Sequence, residues 1–80
     1  MKFNHYAELF PMMPDSEIET LANDIKSNGL NEPITTYHDE ILDGRNRYVA
    51  CIIADVEPTF KEYKGDDSGL LTFVISANLH

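Results

Sequence analysis

The chain has 80 residues, enough for one small domain with a modest core, and six basic against fourteen acidic side chains give a formal net charge of −8. An apolar fraction of 42% argues against disorder, no apolar run is long enough to cross a membrane, and one cysteine excludes an internal disulfide and fits a reducing, cytoplasmic setting. So acidic a chain is poorly suited to coating duplex phosphates, which argues against nonspecific DNA binding by this chain alone.

The opening stretch MKFNHYAELFPMMP lacks the continuous apolar core of a signal peptide. Pro11 and Pro14 predict irregular structure over residues 1–14, with Leu9, Phe10, Met12 and Met13 packed onto the body of the domain. Ile18, Leu21, Ala22 and Ile25 then follow the i, i+3, i+4, i+7 spacing of a helix with one buried face. Ser16 and Glu19 have the spacing of a capping box, Asp15 competes as the cap, and Asn28-Gly29 supplies a left-handed stop covered by Leu30.

EPITTYH, opened by Pro33, predicts a strand, Asp39-Glu40 a turn and Ile41-Leu42 the returning strand of a hairpin. Asp43-Gly44 introduces a helix from Arg45 to Ala54 that is apolar nearly all round, the pattern of a central element covered on several sides. Pro58 begins another strand carrying Phe60 and Tyr63, and Lys64-Gly65-Asp66-Asp67 is a polar turn. SGLLTFVISANLH reads as a closing helix capped by Asp67 or Ser68, although its β-branched residues leave a strand as the alternative. The order helix, β-hairpin, helix, strand, helix predicts a compact α+β fold, with residues 1–80 as a single domain.

Both arginines of the chain, Arg45 and Arg47, stand at the start of the central helix. A helix N-terminus already presents unpaired N–H groups and partial positive charge, so two guanidinium groups there disfavour each other unless an anion arrives. Gly44 allows close backbone approach, and the combination of free amides, guanidinium forks and a tight glycine suits a phosphate group. Asp43 is placed either to orient an arginine or to hold a metal ion beside a polyphosphate. Pairing of both arginines with neighbouring carboxylates is the competing reading.

The segments NGLNEPITTY, ILDGRNRYVAC and ISANLH together resemble the N-terminal domain of the ParB-type partition proteins and their ParB-like nuclease and sulfiredoxin relatives, over about residues 5–80. The resemblance implies a compact α+β domain that binds cytidine or adenine triphosphate with Mg²⁺, and in several members hydrolyses it. On this resemblance Gly44 is the motif glycine, Arg47 the phosphate-contacting arginine, Asn46 stands in place of the preceding Arg or His, and Asn78 matches an asparagine that contacts nucleotide and metal. Arg45 stands where partition proteins have Glu, Val49 where they have a second basic residue, and Ala77 where they have the glutamate beside Asn78. The chain ends at His80, before the final arginine of that motif and without the DNA-binding and dimerisation domains of partition proteins.

The expected site is therefore Gly44, Arg45, Asn46, Arg47 and Asn78 for phosphate or nucleotide and Asp43 for metal, with no catalytic residue assigned. The expected function is a nucleotide-binding module, with weak nucleotide hydrolase or nuclease activity as its extension; the short length, acidity and altered motifs fit a phage, plasmid or other mobile-element protein. The alternative is a non-enzymatic regulator whose acidic stripe, Asp15, Glu17, Glu19 and Asp24, mimics DNA charge and binds a basic surface of a DNA-handling protein complex.

Other candidates read as structural. Cys51 lies well inside an apolar helix, as an inert packing thiol does, whereas the reactive cysteine of sulfiredoxins lies in the turn. His5, His38 and His80 have no metal-ligand spacing, although His38 sits on the hairpin within possible reach of the arginine turn, and Asp66-Asp67 reads as a solvated turn. Tyr37, Tyr48 and Tyr63 are candidates for stacking a base, with Tyr48 on the buried helix.

Overall fold

The computed structural model describes residues 1–79, so His80 lies outside the described residues. The elements are α1 (Asp15–Asn28), β1 (Ile34–Tyr37), β2 (Glu40–Asp43), α2 (Arg45–Ala54), β3 (Phe60–Glu62) and α3 (Leu70–Asn78), with single 3₁₀ turns at His5–Glu8 and Asp67–Gly69. This is the predicted α+β order. The strands form one mixed sheet in the order β2-β1-β3, with β1 antiparallel to β2 and parallel to β3. Among the described residues, no helix is long and apolar enough to cross a membrane.

Helix α1 buries Ile18, Ala22 and Ile25 along its predicted face. Pro14 takes the N-cap position, so Asp15 and Ser16 lie inside the first turn rather than capping it. Proline explains the difference: its fixed φ favours the entry to a helix, and no side-chain oxygen is needed there. Gly29 stops the helix at φ +80, a backbone angle that disfavours any side chain, and Leu30 packs against the core beneath.

The hairpin turn is His38-Asp39, one residue earlier than expected, because Tyr37 pairs directly with Glu40. His38 and Asp39 both have positive φ, 49° and 62°, which a two-residue turn needs to match the twist of its strands. Residues 2–4 are not irregular: Ile41 N–H donates to Lys2 O, Asn4 N–H donates to Ile41 O, and the segment thereby covers the free edge of β2.

Two apolar clusters hold the elements together. Ala22 and Ile25 of α1 meet Ala50 and Cys51 of α2, while Leu42 of β2 meets Leu70 and Val74 of α3, with Tyr6, Phe10, Tyr63 and Phe73 around them. Helix α2 is less covered than its composition implies, since Ile52 and Ile53 are 61% and 58% exposed. An all-apolar sequence here therefore does not make an all-buried helix. Leu9 and Met12 are also exposed, contrary to expectation, whereas Phe10 does pack on the core.

Candidate functional site

An irregularity in the sheet creates the site. Thr36 pairs with Ile41 and Thr35 with Asp43, so one step on β1 matches two on β2 and Leu42 is an extra, bulged residue. The bulge puts Leu42 and Asp43 on the wall of the same cavity instead of on alternate faces. Thr35 is also the register partner of Lys61 on β3, so Asp43, Thr35 and Lys61 form one row across the three strands.

That row opens onto a cavity of about 600 Å³ between the sheet, the start of α2, the end of α3 and residues 7–13. Ligand cavities of globular proteins have this size. Asp43, Gly44, Arg45, Asn46, Arg47 and Asn78, the six residues singled out from sequence, all line it. Its walls contain three of the chain's six cations, Arg45, Arg47 and Lys61, and two of its fourteen acids, Glu32 and Asp43. A protein of net charge −8 therefore turns a locally positive concavity outward at this point.

Gly44 carries the turn. Its φ of +104 and ψ of 26 place it in the left-handed region, and a Cβ there would stand 2.9 Å from Arg47 Nη2 and 3.2 Å from Nε and from Ile34 Cγ1. The first backbone bond of α2 runs from Tyr48 N–H to Gly44 O, so the amides of Arg45, Asn46 and Arg47 precede the helical ladder.

The two arginines do different things. Arg45 Nη2 donates to Phe10 O at 2.9 Å and its guanidinium lies 5.9 Å from the Phe3 ring centre. Next to it, Asn46 Oδ1 accepts the Met13 N–H at 3.0 Å. Both residues thus fasten the segment 10–13 along the cavity lip. Arg47 Nη1 donates to Glu32 Oε2 at 2.7 Å and Nη2 to Asp43 Oδ2 at 3.2 Å. Its Nε is buried with no hydrogen-bond partner among the described residues. The arginine turn thus combines a cavity with carboxylate pairing, the two readings that the sequence left in competition. Asn78 Nδ2 donates to Val74 O on its own helix, and its side-chain oxygen has no hydrogen-bond partner among the described residues.

Glu32, Thr35, Lys61 and the 10–13 segment were not found by sequence reasoning. The register that brings Lys61 beside Thr35 depends on a parallel pairing with no local signal, and Glu32 reads in sequence only as the residue before Pro33. His38 does not line the cavity; it stacks on Tyr37. Tyr37 and Tyr63 pack edge-on to each other and Tyr48 onto Phe3, and none of the three lines the cavity.

Among the described residues, no three His, Cys, Asp or Glu side chains converge on a point. Asp66 accepts from Ser68 Oγ at 2.7 Å, a bond that lowers its pKa and accounts for the acidic turn without a metal. Cys51 is buried, and burial pushes its thiol above the ordinary value, opposed in part by the Arg47 charge.

No family model matches the sequence, and no curated protein matches it. Among solved structures, the fold is similar to that of the C-terminally truncated chromosome-partitioning protein ParB from Caulobacter crescentus, complexed with CTP-γ-S. The TM-score is 0.77 at 23% identity, covering 89% of this chain and 44% of that one. The chain thus has a ParB-like fold and spans less than half the length of that neighbour.

Proposed function

We propose that the domain is a nucleotide-binding module whose ligand is a nucleoside triphosphate, CTP or ATP, with its phosphates on the Gly44 turn. The observation that carries this reading is the cavity itself, which gathers half of the chain's cations around unpaired helix-start amides in a strongly acidic protein. The fold supports it, because the ParB neighbour was solved with a CTP analogue.

In this reading the amides after Gly44 and the guanidinium of Arg47 bind phosphate oxygens, Lys61 adds charge from the sheet, and the Asn78 side-chain oxygen accepts from the ligand's polar groups. Arg45 and Asn46 act mainly by holding the lip in place. Mg²⁺ would neutralise the polyphosphate, with Asp43 Oδ1, the oxygen not bonded to Arg47, as its protein ligand and phosphate oxygens and water as the rest. Ala77, on the cavity wall, offers no carboxylate, and Glu32 and Asp43 are both engaged with Arg47, so the proposal is binding rather than turnover.

Titration calorimetry with CTP and with ATP, each with Mg²⁺, tests the reading. Heat saturating at one ligand per chain supports it, and no heat with either nucleotide at millimolar concentration rejects it. The alternative reading, an acidic regulator that mimics DNA, gains no further support: Asp15, Glu17, Glu19 and Asp24 are exposed as the residues of any solvated helix face would be.

A further inference from the structure

The acid on Arg47 raises a question about how the site opens. Glu32 Oε2 lies 2.7 Å from Arg47 Nη1, closer than the 3.2 Å between Asp43 and Nη2. The two carboxylates occupy the two terminal nitrogens, which are the groups a phosphate needs for a forked contact. Their environments differ. The Asp43 side chain is 19% exposed and held on a strand, whereas the Glu32 side chain is 76% exposed. A largely exposed carboxylate regains water at little cost when it leaves its partner, but a half-buried one does not. Glu32 also precedes Pro33, which restricts its backbone to extended conformations and so keeps the side chain near the cavity mouth.

The geometry points to Glu32 as a built-in counter-ion that holds Arg47 in position and competes with the incoming phosphate for it. This inference rests on the nucleotide-binding reading above. Asp43 keeps the guanidinium over Gly44 in both states, while Glu32 takes the place of a phosphate oxygen until the ligand displaces it. The pairing places a second carboxylate on a guanidinium at a helix start, beside backbone dipole charge of the same sign as the arginine. It also sets a threshold: a ligand must bring enough anionic oxygens to outbid one carboxylate in a fixed place. Glu32 is therefore a positioning and selecting residue, and its removal should improve binding.

The test is calorimetry of CTP with Mg²⁺ on the wild type, Glu32→Gln and Glu57→Gln. Glu57 is exposed and lies off the cavity, so its variant makes the same change in net charge away from the site. Glu32→Gln is expected to bind about two- to fivefold more tightly, the range for losing competition from an exposed ion pair, and Glu57→Gln to match the wild type. Detectable binding by Glu32→Gln where the wild type is silent also supports the inference. If the wild type binds and Glu32→Gln binds equally or more weakly, the counter-ion role is wrong and the nucleotide reading stands. Equal gains in both variants would make the effect one of general charge and overturn the role too. If none of the three proteins binds, the nucleotide reading falls and the role of Glu32 falls with it.

Discussion

The guanidinium of Arg47 lies against the bare Cα of Gly44, so close that a methyl group there would stand 2.9 Å from Nη2. The backbone conformation and the seat of the arginine therefore depend on the same missing side chain. Gly44→Ala should destabilise the fold by about 1–3 kcal/mol through the left-handed angle alone, and should also push Arg47 off its seat. Urea unfolding gives the first effect and nucleotide calorimetry the second.

Arg47→Ala should weaken binding and also cost some stability. Loss of the pair with exposed Glu32 costs the fold about 1 kcal/mol or less, and Asp43, mostly buried and left without its partner, adds about 1–3 kcal/mol, both read together from urea unfolding. A charged hydrogen bond to phosphate contributes about 1.5–3 kcal/mol, so affinity for CTP should fall about ten- to hundredfold. Comparable affinity in wild type and variant, measured by calorimetry, would remove Arg47 from the site.

Arg45→Ala and Asn46→Ala should show themselves at the other end of the chain. Each removes an anchor of the 10–13 segment, the Arg45 bond to Phe10 O or the Asn46 bond to Met13 N–H. Both variants should accelerate cleavage by a nonspecific protease within residues 9–14 and hasten exchange of the Met13 amide. Unchanged protection in both variants would show that the lip is held by its apolar contacts.

Cys51 makes the fold sensitive to alkali. Burial raises its folded-state pKa above the ordinary value of 9.0. A raised folded pKa gives a contribution that is complete below the unfolded pKa and is lost as pH rises through the folded one. Stability should therefore fall as the pH passes 9, and the fall should be shallower in Cys51→Ala, as read from urea midpoints between pH 7 and 10.5.

Ile52→Lys tests the partial cover of α2. With Ile52 61% exposed, stability should change by no more than about 0.5 kcal/mol. Ala50→Leu, two positions earlier and on the opposite, buried side of the helix, should cost about 1–3 kcal/mol by overpacking. Thermal unfolding of the two variants provides the comparison.

Much of this arrangement can be read from local pattern. The face of α1, the limits of α2 from Arg45 to Ala54 and the closing helix follow from spacing and from Gly29 and Gly44, because those signals act within a few residues. The hairpin turn shifts by one position because Glu40 can serve equally well as a turn residue or a strand residue, and pairing with Tyr37 decides it. The predicted cover of α2 fails at Ile52 and Ile53 because hydrophobicity records what could be buried, while only packing against α1 and β1 decides what is. The residues that turn the Gly44 turn into a cavity were out of sight. Lys61 reaches it by parallel pairing across 26 positions from Thr35, and Glu32 by a single ion pair.

The row Thr35, Asp43 and Lys61 has a thermodynamic consequence. Its members come from a hairpin and from a strand that follows α2 in the chain, so the wall is incomplete until β3 has docked. An anion held there couples the hairpin to the strand after α2. Bound ligand should therefore clamp β3 to the hairpin, raising the unfolding midpoint in proportion to the logarithm of its free concentration.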